Sequence, residues 1–231
     1  MPKLPDHVQA ERADRILDAA ERVFSAKGFH GASIQAICSE AGISAGALYV
    51  YFASKEALIE GICERERRIF SDRFRAIAEA PDVLDGFGGI ILSCLRDDPI
   101  EKRRIVLEIG AEAARNDKVA AIYNRFDAEL TAMFRDLIER LASEGRIAPL
   151  LPPHELTEVL GAIGDGMLWR SVVHQDFDVK LLLPGILATV EALLRPNSRL
   201  LDARSITRQS ELDETQRAGL APGGTAKRLQ S

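Results

Sequence analysis

Aromatic residues make up only 6% of this chain, with one tryptophan among them, while 46% of residues are hydrophobic. A core built almost wholly from aliphatic side chains fits a soluble, helical protein. Cysteine is scarcer still. Cys38, Cys63 and Cys94 are odd in number, far apart, and accompanied by no C-x-x-C pair and no histidine pair at metal-ligand spacing. They read as reduced packing residues, a redox switch being the weaker alternative, and no metal or cofactor is expected. No apolar run approaches the roughly 20 residues that cross a bilayer. The opening stretch MPKLPDHVQAER lacks the apolar segment of a signal peptide. A cytoplasmic protein without membrane contact is therefore expected. Histidines are few and scattered (His7, His30, His154, His174), no nucleophile sits in a recognisable elbow, and no glycine-rich phosphate loop follows a strand. An enzyme is thus not expected.

The net charge of -5 argues at first against a nucleic-acid partner, but the acid is unevenly distributed. Residues 1–75 carry 11 Lys+Arg against 11 Asp+Glu, residues 76–195 carry 13 against 20, and residues 196–231 carry 6 against 4. A specific DNA binder needs only a few well-placed phosphate contacts, so a neutral first third remains compatible with that role.

What the first third contains is a set of short capped helices. Ile16, Leu17, Ala20, Val23 and Phe24 form an apolar stripe that predicts a helix over 11–27, stopped by Gly28. Phe29 and Ile34 close its core, and His30 lies in the following loop, solvated. SIQAICSEA (33–41) predicts a second helix, Gly42-Ile43 a tight turn, and SAGALYVYF (44–52) a third helix with Ser44 as N-cap. Gly46, inside that third helix, costs about 1 kcal/mol relative to alanine. Close approach of a large partner to the backbone is the simplest reason for it. Two short helices about a glycine turn, the second with small and polar residues on its surface, read as a helix-turn-helix over 33–52. Lys55, beside Ser54 at the next helix start, offers an anion site that a DNA phosphate would fill, the alternative being an indifferent surface lysine.

The run RILDAAERVFSAKGFHGASIQAICSEAGISAGALYVYFASKEAL (15–58) resembles the DNA-binding domain of the TetR family of bacterial transcriptional regulators. Gly28-Phe29, Ser33, Ala41-Gly42-Ile43-Ser44, Gly46, Leu48-Tyr49, Tyr51-Phe52 and Ser54-Lys55-Glu56 coincide with its pattern. The resemblance implies that Tyr49, Tyr51 and Lys55 grip phosphates, that Ser33 caps its helix against the DNA backbone, and that Ser44, Ala45, Gly46 and Ala47 face base edges. Ala45 and Val50 depart from residues common in the family, which implies readout through apolar contact with thymine methyls.

Beyond residue 70 the pattern stays helical. Helices are expected over 55–79, 82–96, from an Asp98 cap to 115, 117–143, from Pro153 to 174, and from 182 or 184 to 195. Pro184 is placed at the first turn because proline is disfavoured in a helix interior. Arg104, Glu108 and Glu112 read as a solvated charge ladder. Phe126, Met133 and Phe134, with Ile122, Leu130, Leu137, Ile138 and Leu141, form a stripe that is either plain core or a ligand box. GDGMLWR (164–170) resembles a D-G-L/M motif of many such regulators, including the choline-responsive betaine type. The glycines around it imply close packing of the apolar 181–194 stretch, in an intersubunit four-helix bundle using Gly161, Gly164, Leu187 and Leu194. From residue 196 the composition turns polar, and a disordered tail is expected.

The expected fold is all-α with about nine helices. It comprises a flexible arm (1–10), a three-helix DNA-binding domain (11–70), a ligand-binding and dimerisation domain (71–195) and a tail (196–231). The expected function is a ligand-responsive repressor that binds a double-stranded palindromic operator as a homodimer. The alternative is an adaptor or activator of the same fold without effector-controlled repression. A small-molecule effector would lodge near Phe74, Phe126, Met133, Phe134, Met167 and Trp169 and tilt the helix over 55–79, whose Phe70, Phe74 and Ile77 reach the second domain.

Overall fold

Leu58, Ile59, Ile62 and Cys63, then Phe70, Phe74 and Ile77, recur along one face of a 25-residue helix, and the rest of the fold is arranged about it. This helix is α4 (Lys55–Glu79) of a computed structural model that describes residues 6–196. Ser54 starts it by accepting the Ala57 N–H at 3.2 Å. Its first half belongs to a core made with α1 (Asp6–Gly31), α2 (Ile34–Ala41) and α3 (Ala45–Tyr49). Its last turns belong to a second core made with α5 (Val83–Leu92), α7 (Asp117–Ser143), α8 (Pro153–Val173) and α9 (Val179–Leu194). Ile105 and Ile109 of α6 (Ile100–Ala113) and Val119 of α7 complete the first core, so the second half of the chain closes over the first. Among the described residues there are nine α-helices and no strand. None is long and apolar enough to cross a membrane.

Several boundaries differ from expectation for local reasons. α1 begins at Asp6, so residues 6–10 of the expected arm are helical; residues 1–5 and the expected tail from 197 onward lie outside the described residues. Gly28 does not end α1 but breaks it, at φ 70°, and one further turn runs to Gly31. α3 is only five residues long. α5 passes into a π-helical turn over Ser93–Asp97, closed by the Asp98 N–H on the Ser93 carbonyl at 2.9 Å. Asp98 therefore does not cap α6: its carboxylate is taken by Arg73 at 2.9 and 3.0 Å. α9 starts at Val179, because Asp178 caps it through the Lys180 N–H at 2.9 Å, and Pro184 ends up inside the helix.

The carboxylates of α6 give the largest departure. Glu112 is fully buried, not solvated, and Glu108 accepts the Phe29 N–H at 2.7 Å. Both lie on the stripe that carries Ile105 and Ile109, and that stripe faces the α1–α2 corner. A Cβ at Gly28 would stand 3.0 Å from the Glu108 carboxylate, so the left-handed glycine and the short contact belong to one arrangement.

Candidate nucleic-acid interface and effector cavity

Gly42 (φ 68°) ends α2 in a Schellman turn: the Ile43 N–H reaches the Cys38 carbonyl at 3.0 Å and the Gly42 N–H that of Ser39 at 3.3 Å. The chain then reverses at once into Ser44, whose hydroxyl accepts the Ala47 N–H at 3.2 Å and starts α3. One residue holds α3 down. Leu48 is fully buried in the first core. Apart from Ala45, the rest of α3 and its flanks face outward: Ser44, Gly46 and Ala47 are exposed, Tyr49 is 53% exposed and Val50 80%. A Cβ at Gly46 would meet no atom within 4 Å, so nothing inside the chain requires glycine there. A small, exposed helix start of this shape lets another surface come close to its backbone N–H groups.

Ser33 caps α2 by accepting the Ala36 N–H at 3.1 Å and is exposed. Ala45 and Tyr51 are half-buried and pack on the first core, so part of each side chain is committed inward. Lys55 differs most from its expected setting. Its ammonium donates to the Phe29 carbonyl at 2.5 Å and the Ala32 carbonyl at 3.1 Å, and lies 4.3 Å from the centre of the Phe29 ring. The cation ties α4 to the α1–α2 corner. On the other side of that corner, Glu112 accepts from Arg115 at 2.8 Å and Asn116 at 2.9 Å, and His30 Nε2 lies 3.1 Å away. Burial pushes the Glu112 carboxyl up, but the hydrogen bonds from Asn116 and Arg115 and the charge of His30 outweigh it and hold the group below the ordinary carboxylate range. His30 is itself exposed yet is bound into this cluster. Periodicity could have found it, since Ile105, Glu108, Ile109 and Glu112 share one helical face.

Beside the second core, walled by α4, α5, α7, α8 and α9, lies a cavity of about 280 Å³. Phe74, Phe134 and Met167 line it, as expected, and the Phe74 and Phe134 rings stack at 5.2 Å. Phe126 lines an adjoining lobe of about 150 Å³. Met133 and Trp169 line neither lobe; Trp169 is 56% exposed on the outer side of α8. Phe70 lines both lobes, and Phe87 and Ile91 of α5 line the larger; α5 was not assigned to the site from sequence. The glycines of α8 also have a different setting. Gly161 and Gly164 border the cavity, and a Cβ at either would meet no atom within 4 Å, so α9 does not press on them. α9 lies on α5 instead, with Leu187 Cδ1 3.6 Å from where a Gly88 Cβ would be, and Leu194 is fully buried in the second core. Leu194 thus serves the subunit interior.

All three cysteines are free. Burial pushes the Cys63 thiol up to about 12 and that of Cys94 up to about 11, so both are protonated packing groups at neutral pH.

Residues 16–62 match the family model described as "Bacterial regulatory proteins, tetR family", and residues 89–195 match "BetI-type transcriptional repressor, C-terminal". The transcriptional regulator UidR of Escherichia coli is 37% identical over 147 residues, covering 62% of this chain and 74% of UidR. This chain belongs to the TetR family. Among solved structures, GusR of Salmonella enterica matches 84% of this chain and all of its own, at 26% identity and a TM-score of 0.70. FadR of Bacillus subtilis, solved in complex with stearoyl-CoA, shares the fold at 19% identity and a TM-score of 0.64, covering 76% of this chain and 95% of that one. As a TetR-family member the protein is a DNA-binding transcriptional regulator with a helix-turn-helix, and repressors are named among its relatives. Its relatives regulate transcription and are not described as enzymes.

Proposed function

We propose that the protein is an effector-released repressor that binds an inverted-repeat operator as a homodimer in the cytoplasm. The cavity flanking α4 is the observation that carries this reading, because one helix borders it and also begins at the DNA-facing corner. Phe70, Phe74 and Ile77 form part of its wall, and Lys55, at the start of the same helix, fixes α4 to the carbonyls of Phe29 and Ala32. A molecule that binds one setting of α4 better than another changes operator affinity by that difference in binding free energy.

Ser44, Gly46 and Ala47 face base edges, with Tyr49 and Ser33 on the flanking phosphates, and Ala45 and Tyr51 contribute through their exposed parts. Dimerisation uses the outer face of α8 and α9, where Val159, Trp169, Val173, Leu181 and Leu182 are exposed. An apolar row of this kind on a monomer marks an interaction surface. Leu194 is excluded by its burial, and Leu187 is largely used against α5.

The test is fluorescence anisotropy of the full chain on DNA from its own upstream region, with an effector screen. A ligand that releases the DNA from the wild type should release it far less from Phe74→Ala at equal DNA affinity. Unchanged release in a folded Phe74→Ala dimer would remove the cavity from the mechanism.

A further inference from the structure

The pose of α3, and with it the outward surface that meets DNA, depends on what anchors so short a helix. Leu48 is its one fully buried side chain, and a five-residue helix held at one point can still turn about that point. Turning displaces Tyr49 and Val50, which stand exposed beside the anchor. A second anchor follows one turn later. The Phe52 N–H donates to the Leu48 carbonyl at 2.9 Å, as does the Tyr51 N–H, so the Phe52 ring moves with the last turn of α3. Phe52 is half-buried and packs on the first core. Ala45 adds only a methyl group to that core, and Tyr51 also borders the cleft beside α7.

What receives the ring is the space of a missing side chain. Gly61 lies inside α4, where glycine weakens a helix relative to alanine. A Cβ there would stand 2.8 Å from Phe52 Cε1 and 2.9 Å from Leu17 Cδ2. Among the described glycines no other would bring a Cβ closer than 3.0 Å to a neighbour outside its own stretch of chain. Close approach of the ring is thus the reason for glycine at this position. Leu17 is 3% exposed and enclosed by the first core, whereas Phe52 also borders a cleft of about 480 Å³ between α4 and α7. A side chain at 61 therefore displaces the ring, which has room to yield, before the leucine, which has none. α4 is 25 residues long and α3 only five, so α3 takes up the movement.

We propose that Phe52 and Gly61 form the joint through which α4 sets the pose of α3, and that both are positioning residues for DNA recognition without touching DNA themselves. This rests on the reading of α3 as the DNA-facing helix, but the two can fail separately. The joint is distinct from the Lys55 contacts, which tie α4 to the α1–α2 corner and not to α3.

The experiment is a double-substitution cycle on the full-length chain, with Gly61→Ala, Phe52→Leu and both together. Two quantities are read well below the unfolding transition: fluorescence anisotropy on DNA from the upstream region, and amide hydrogen exchange of peptides covering 44–52 in the free protein. Gly61→Ala should unfold in urea close to the wild type, since better helix propensity offsets the tight contact. It should nonetheless weaken DNA binding about tenfold, the scale of one overpacked contact, and speed exchange over 44–52 severalfold. In the Phe52→Leu background, Gly61→Ala should change neither quantity. Equal losses in both backgrounds, or a loss of α1 protection in step with that of α3, would make Gly61 an ordinary packing position and overturn the proposal. If Gly61→Ala does not fold, Phe52→Leu alone decides: it should weaken DNA binding and speed exchange over 44–52 with α1 protection intact, and unchanged values overturn the joint. If the wild type binds none of the DNA offered, the DNA-facing reading falls, and the exchange cycle by itself still supports or overturns the hold of α4 on α3.

Discussion

Removing the ammonium of Lys55 separates two roles for this residue. At the surface of the first turn of α4, a lysine would act only on a DNA phosphate, and Lys55→Ala would leave the stability of the free protein unchanged or slightly improved. A cation there opposes the helix dipole by about 0.3–1 kcal/mol. The structure gives Nζ two carbonyl partners, at 2.5 and 3.1 Å, and the face of Phe29 at 4.3 Å. A hydrogen bond from a charged donor contributes about 1.5–3 kcal/mol, and a cation–π contact at a partly exposed site about 0.5–1. Lys55 is half-buried, so water replaces part of what the two carbonyls lose. With that discount and the relief of the dipole, Lys55→Ala is expected to cost about 1–2 kcal/mol. That corresponds to a fall in Tm of roughly 2–8 °C for a chain of this size. Urea unfolding of wild type, Lys55→Ala and Lys55→Met checks it, the methionine keeping the aliphatic stem without the charge. Operator affinity should fall with stability and recover with neither variant. Wild-type stability in both variants, alongside a DNA affinity whose salt slope drops by about one, would show that Lys55 is a phosphate ligand and not a clamp.

Other expected outcomes follow from contacts of the same kind. Gly86→Val places side-chain carbon 3.0 Å from Ile77 Cα and 3.3 Å from Ala80 Cβ, and should destabilise by about 1–3 kcal/mol or more in thermal unfolding. Ser44→Ala removes the only side-chain cap of a five-residue helix; it should cost about 1 kcal/mol and weaken DNA binding more than Ser33→Ala, as read by paired unfolding and anisotropy titrations. The Glu112 carboxyl lies below its ordinary value when folded, so its contribution to stability is present above the unfolded value of about 4.3 and is lost as pH falls through the lower folded one. Glu112→Gln should therefore lower stability at pH 7 by about 1–3 kcal/mol and flatten the acid limb of urea midpoint against pH.

The helix-turn-helix and the long helices were legible because their signals are local. Ser54 and Asn116 cap α4 and α7, and the stripes from Leu58 to Ile77 and from Ile122 to Leu141 carry the helical period over about five turns each. What escaped is what depends on a distant partner. Glu112 is polar by type but lies on the stripe of Ile105 and Ile109, and its burial depends on Asn116, Arg115 and His30 gathering around it. Pro184 argued for a late start to α9, yet the Asp178 cap decides it, since a helix loses only one hydrogen bond to an early proline. The α8 glycines implied a tightly packed neighbour in the chain, whereas they border a cavity and open space. Leu194 and Leu181 look alike in sequence, but one is fully buried and the other is 80% exposed, a distinction set by which face of α9 meets α5 and α7.

Whether α3 presents its exposed start to an operator in two symmetric copies is decided most directly by footprinting the full chain on its upstream DNA across a salt series. Two protected half-sites of inverted sequence, centred about one helical turn or a multiple of it apart, with affinity falling steeply as salt rises, are the predicted result. Protection of a single asymmetric half-site by a monomer, or no protection that Gly46→Leu abolishes, would contradict it.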